Sequence, residues 1–248
     1  MPGKLHIGTS GWHYKHWIGS FYPDNISLKE MFPFYAAHFD TVEVNNTFYH
    51  LPELSTFDNW RSKSPPNFLF AVKASRFITH MKKLKDPHTS MAKFFLAAER
   101  LEEKLGPILF QLPPRWKVDP QRFSEFLEAL SPGHQYVVEF RDQSWLVPQI
   151  FALLRKHNVA FCIHDLGESQ TPLEVTANFA YVRFHGPGTA KYTGSYQRSD
   201  LQRWAVRIDE WCEALTDVYI YFNNDVGGYA VKDALVLKNL LGELIQQK

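Results

Sequence analysis

Thr41-Val42-Glu43-Val44-Asn45-Asn46-Thr47 alternates polar and apolar side chains from Thr41 to Asn45 with the two-residue period of a β-strand. Val42 and Val44 share one face; Glu43, Asn45 and Thr47 share the other. Seven further runs rich in β-branched and aromatic residues accompany it: Lys4 to Thr9, Phe68 to Ser75, Pro107 to Leu112, Tyr136 to Arg141, Val159 to Asp165, Phe179 to His185 and Val218 to Asn224. Between most of them lie stretches with helical periodicity, at Thr56 to Lys63, Met91 to Leu101, Pro120 to Leu130, Leu146 to His157, Asp200 to Leu215 and Val231 to Ile245. The stretch from Leu166 to Asn178, with Gly167 and Pro172, reads as loop plus a turn of helix. Strands separated by helical crossovers pair in parallel. Eight such units predict an α/β protein, a single (β/α)8 TIM-type barrel over residues 1–248. An open doubly wound sheet would place a glycine-rich dinucleotide turn after the first strand, where Gly8-Thr9-Ser10-Gly11-Trp12 stands instead.

Composition agrees with a folded, water-soluble domain. Of 248 residues, 45% are apolar and 15% aromatic, and the net charge is +1, which excludes an intrinsically disordered chain. Near-neutrality also gives no support to a nucleic-acid surface, which needs excess positive charge to release counterions. Cys162 and Cys212 lie far apart in apolar contexts and read as free thiols. Met1-Pro2-Gly3-Lys4-Leu5-His6 has no apolar signal core and no run is long enough to cross a bilayer, so a cytoplasmic protein without membrane contact is expected.

A barrel of this type keeps its chemistry at the C-terminal ends of the strands. There the sequence collects polar groups: Glu43 and Asn45, Lys73, Gln111, Glu139 and Arg141, Asp165, Arg183 and His185, and Asn223. Charged side chains are costly to bury unless paired or solvated, so a set of this kind argues for a site. Ion pairing of Glu43 with Lys73 and of Glu139 with an arginine is the alternative use of the same residues. The loops above add aromatics, with Trp12 and Trp17 after the first run, Tyr49 after the second, Trp145 after the fifth, and Tyr192 and Tyr196 after the seventh. Trp12 and Tyr49 are the candidates for stacking on a base or sugar face.

Three chemistries fit. Lys73, Arg141, Arg183 and His185 can hold a phosphate or carboxylate, with backbone N–H groups of Gly8 to Gly11 or Gly186-Pro187-Gly188 as an added nest. Glu43 and Glu139 can act as a pair of carboxylates, as in glycoside hydrolases, although neighbouring cations hinder either from staying protonated. A metal site is disfavoured, since no HxH, HExxH or DxD spacing occurs and the cations repel a metal ion. A Schiff-base role for Lys73 is disfavoured by the nearby Glu43. His80 reads as a surface or hydrogen-bonded histidine.

Several motifs come together in a fixed order: Gly8-Thr9-Ser10-Gly11-Trp12, Phe21-Tyr22-Pro23, Val42 to Tyr49, Lys73 to His80, Phe110-Gln111-Leu112-Pro113-Pro114, Glu139-Phe140-Arg141 with Ser144-Trp145, Tyr181 to Gly186, and Tyr221-Phe222-Asn223-Asn224. By these motifs the sequence closely resembles the YecE-like family, domain of unknown function 72, over essentially its whole length. The resemblance implies one TIM-barrel domain and no established reaction, cofactor or catalytic residue. The residues themselves lead to a metal-independent enzyme without cofactor, acting on a small anionic substrate. Glu43 or Glu139 serves as base and His185 as acid or electrophile. Asn45, Lys73, Gln111, Arg141, Asp165, Arg183, Asn223, Trp12 and Tyr49 bind the substrate. A nucleotide or nucleic-acid binding module and a glycoside hydrolase using Glu43 and Glu139 are the alternatives.

Overall fold

The structure, a computed structural model, describes residues 3–166 and 169–246. In chain order the elements are β1 (Lys4–Thr9), α1 (Met31–Ala36), β2 (Thr41–Val44), α2 (Asn46–Tyr49), α3 (Leu54–Lys63), β3 (Leu69–Lys73), α4 (Pro87–Ala98), β4 (Leu105–Gln111), α5 (Pro120–Glu128), β5 (Tyr136–Glu139), α6 (Pro148–Lys156), β6 (Ala160–Leu166), β7 (Ser169–Gln170), β8 (Phe179–Phe184), α7 (Arg198–Ala214), β9 (Asp217–Phe222) and α8 (Tyr229–Gln246). Short 3-10 and π turns follow several strands. All strands but β7 are the eight parallel strands of a (β/α)8 barrel, with a helix between each successive pair except β6 and β8, which β7 separates. Among the described residues no helix is long and apolar enough to cross a membrane.

The chain divides into two compact units. The first comprises Met1–Val42, Ile163–Leu173 and Asn178–Lys248; the second comprises Glu43–Cys162 and Glu174–Ala177. In the first unit β9 pairs in parallel with both β1 and β8, matching Ile7 and Val182 to Ile220. All of β8 and most of β9 is buried, as the near-continuous apolar runs of a parallel strand require. Helix α8 lays Ala230, Val231, Ala234, Leu237 and Leu241 inward at three- and four-residue steps.

Gly8 in β1 is fixed by a close approach. A Cβ there would stand 2.3 Å from the Thr41 carbonyl oxygen and 3.0 Å from Tyr35 Oη. Tyr35 is in turn bound by Thr9 N at 2.9 Å and donates to that same carbonyl at 3.0 Å. Gly8→Ala is therefore expected to destabilise the fold by about 2 kcal/mol, an overpacking cost. Urea unfolding measures it, and an unchanged midpoint would show that the contact relaxes freely.

In the second unit β3, β4 and β5 pair in parallel, and β5 pairs with the start of β6. Against β4 the register slips, Phe70 facing Leu105 and Val72 facing Ile108, so the extra residue falls at Gly106-Pro107. Proline cannot donate to a ladder, which is why it sits at a bulge. Helices α4, α5 and α6 each begin with proline, and Asp119 caps α5 by accepting from Arg122 N at 3.2 Å.

Two segments depart from the periodicity. β2 ends at Val44, so Thr47 does not continue its inward face; its hydroxyl instead donates to the Lys73 carbonyl oxygen at 2.6 Å. After β6 the chain forms no helical turn among the described residues but the short antiparallel β7, with Asp165 opposite Gln170. Gly167, from the same stretch, lies outside the described residues. Neither Cys162 nor Cys212 is in a disulfide.

Candidate functional site

In the second unit four strands carry polar side chains at their ends. β2 delivers Glu43, whose Oε1 accepts from Asn45 Nδ2 at 3.0 Å. β3 delivers Lys73, its ammonium 4.3 Å from the centroid of the buried Phe48 ring. β4 and β5 align Gln111 with Glu139, and Gln111 Nε2 donates to Glu139 Oε1 at 3.2 Å. Arg141, just past β5, pairs through Nε with the same oxygen. Cys162 Sγ lies 3.8 Å from Glu139 Oε2. Glu139 is thus an enclosed, hydrogen-bonded carboxylate, whereas Arg141 keeps part of its surface in solvent.

His80 belongs beside this set. It lies in the π-helical turn Phe77–Met81 after β3, its Nδ1 is 2.9 Å from Thr79 Oγ1, and its ring meets Phe48 edge-on at 5.0 Å. Burial, with Lys73 and Arg76 nearby, lowers its pKa, so the neutral ring is favoured. The sequence suggested a surface or hydrogen-bonded histidine without naming a partner; the position next to Phe48 and Lys73 could not be read from it, because it depends on a π turn. Tyr49 is 73% exposed and stands apart from these groups, packing only edge-on against Phe48 among the described ring contacts.

In the first unit β8 delivers Arg183 and is followed by His185, both buried. Asn223, after β9, places its Nδ2 3.0 Å from His185 Nδ1, a hydrogen bond that holds the ring. The His164 ring lies 5.8 Å from that of His185. Asp165, next along β6, points to the opposite face and hydrogen-bonds Tyr196. His164, not Asp165, therefore accompanies His185. Burial pushes the Asp165 carboxyl up to about 6, with Asp200 adding to the rise and Tyr196 opposing it.

Backbone donors proposed as an anion nest are spent within the fold. Thr9 N donates to Tyr35 Oη, Ser10 N to the Phe222 carbonyl and Gly11 N to the Thr9 carbonyl. Gly186 N donates to Tyr196 Oη at 2.9 Å and Gly188 N to the Thr193 carbonyl at 3.0 Å. The aromatic loops are also mostly packing. Trp17 is buried and donates to Asp225 Oδ1 at 2.6 Å, while Trp145 stacks on Phe140 and donates to the Trp116 carbonyl at 2.6 Å. Trp12 is half-buried against Phe32. Among the described residues no three His, Cys, Asp or Glu side chains converge so as to hold a metal ion.

A profile described as "Protein of unknown function DUF72" matches residues 6–248. The chain belongs to the DUF72 family. Its relatives include the UPF0759 protein YunF of Bacillus subtilis, 25% identical over 96% of this chain and 94% of that one. The UPF0759 protein YecE of Escherichia coli is 29% identical over 60% of this chain and 50% of its own. Among solved structures, a DUF72 family protein from Thermotoga maritima superposes with a TM-score of 0.86 at 31% identity, covering 96% of this chain and 99% of that one. Another, from Enterococcus faecalis, gives 0.83 at 19% identity over 96% of this chain and 95% of its own, a likeness of fold alone. Family and barrel fold are thereby shown; activity is not part of what the DUF72 relatives' names describe.

Proposed function

We propose that this DUF72 protein is a metal-independent barrel enzyme acting on a small anionic substrate that bears a phosphate or carboxylate. The observation that carries this reading is charge buried at strand ends. Glu43 and Glu139 are 0% exposed and Lys73 8% in the second unit, and Arg183 is 1% exposed in the first. Stability alone rarely favours such groups over apolar ones of similar size. Arg141 and Lys73 supply the positive charge of the second unit, and a guanidinium offers two parallel donors to a carboxylate or phosphate. Glu43 takes the part of general base. Glu139 is already engaged by Arg141 and Gln111, which counts against its use as one of a pair of working carboxylates in a glycoside hydrolase. In the first unit His185, held at Nδ1 by Asn223, takes the part of acid or electrophile.

Isothermal titration and melting curves with glycerol 3-phosphate, adenosine 5′-monophosphate and citrate test this reading. We expect binding with a raised melting temperature, weakened about tenfold by Arg141→Lys, which keeps the charge and loses the fork. No binding together with an unchanged melting temperature overturns it. Oligonucleotide binding that falls steeply with salt and survives Glu43→Gln would instead identify a non-catalytic nucleic-acid module.

A further inference from the structure

Within the first unit a cleft of about 400 Å³, lined on β6 by Ile163, His164 and Asp165, lies beside the N-terminal half of α7. Of the first-unit set described above it shares His164 alone; Arg183, His185 and Asn223 do not line it. Its volume falls in the range of small-molecule sites, about 300–1,000 Å³. Three features of its lining point to one class of ligand.

Asp165 lies at its inner wall, 7% exposed, and its Oδ1 is buried without a hydrogen-bond partner. A buried carboxyl oxygen left in this state calls for a donor. Trp204 and Leu173 form an apolar wall. Arg203 and Arg207, one helical turn apart, line the same cleft. Arg203 pairs with Asp200, and Arg207 Nε is 3.7 Å from Glu210 Oε2; each guanidinium has further N–H donors beyond these exposed pairs.

The geometry points to a second ligand site, for a flat aromatic or heteroaromatic anion carrying one N–H or O–H donor. The donor reaches Asp165 Oδ1, the ring lies against Trp204 and Leu173, and the anionic group meets Arg203 and Arg207. The site does not use Glu43, Lys73, Glu139, Arg141 or Arg183, on which the proposed function rests, and stands or falls apart from that function.

The probe is 1-anilinonaphthalene-8-sulfonate, which combines a fused ring, an N–H and a sulfonate, titrated by fluorescence into the full chain. Saturable binding at one site is expected, about tenfold weaker in the double variant Arg203→Ala/Arg207→Ala, whose substituted side chains are exposed and whose melting temperature should stay that of the parent. N-phenyl-1-naphthylamine, which lacks the sulfonate, should bind parent and double variant alike. 1-Naphthalenesulfonate, which lacks the N–H, should bind more weakly than the first probe. Equal affinity of the first probe for parent and double variant, equal loss of both aniline probes in that variant, or no saturable binding overturns the proposal.

Discussion

Arg141→Met is expected to lower the stability of the fold by about 3 kcal/mol at neutral pH, the cost of leaving one member of a buried ion pair without the other. Glu139 is fully enclosed and the Arg141 side chain 11% exposed, so water does little to replace the lost cation. For a chain of this size the change corresponds to a fall of roughly 10 °C in melting temperature. The double variant Glu139→Gln/Arg141→Met should recover much of the loss, since it removes the stranded charge while a side-chain oxygen still faces Gln111. Arg155→Ala provides the contrast. Its pair with Glu174 has both side chains about half exposed, and its removal should change stability by less than roughly 0.5 kcal/mol. Thermal and urea unfolding distinguish the two. An Arg141→Met protein as stable as the parent would mean that the Glu139 carboxylate does not depend on that cation.

The strands were legible because parallel strands are buried on both faces and so read as dense apolar runs. The predicted runs match the observed strands closely, with β1 coinciding at Lys4–Thr9. The same density hides which face is which. In Phe161-Cys162-Ile163-His164-Asp165, alternation shows only that Cys162 and His164 share one face and Ile163 and Asp165 the other. The contact of His164 with His185 decides the phase, and it turns Asp165 toward Tyr196.

Backbone donors pose a different difficulty. Whether the N–H groups around Gly8 and Gly186 are open to a ligand depends on partners distant in sequence, Tyr35 and Tyr196, which no local pattern connects to them. The short helix α1, with Pro33 inside six residues, likewise carries too little periodicity to be read. Glu43, Lys73, Gln111 and Glu139 were legible for the opposite reason: a polar residue inside an otherwise apolar strand is conspicuous in the sequence itself.

The reassignment of Asp165 has its own consequence for stability. Its carboxyl is pushed up to about 6 by burial, against an unfolded value near 3.9. A carboxyl whose folded pKa is raised favours the folded state when protonated, so this contribution is complete below about pH 4 and is lost as pH rises through about 6. At about 1.36 kcal/mol per unit, the ionised group costs the folded state about 3 kcal/mol above pH 7. Asp165→Asn removes that cost while its amide oxygen can still accept from Tyr196. We therefore expect the variant and parent to be equally stable near pH 4, and the variant to be the more stable by about 3 kcal/mol, or roughly 10 °C in melting temperature, near pH 8. The comparison isolates this group, because Asp200, Tyr196, His164, Arg203 and Arg207, which line the same cleft, are unchanged between the two proteins. Melting curves taken at intervals between pH 4 and pH 8 suffice. A variant no more stable than the parent at pH 8 would show that the ionised Asp165 is satisfied in the fold, and that its buried oxygen has a partner after all.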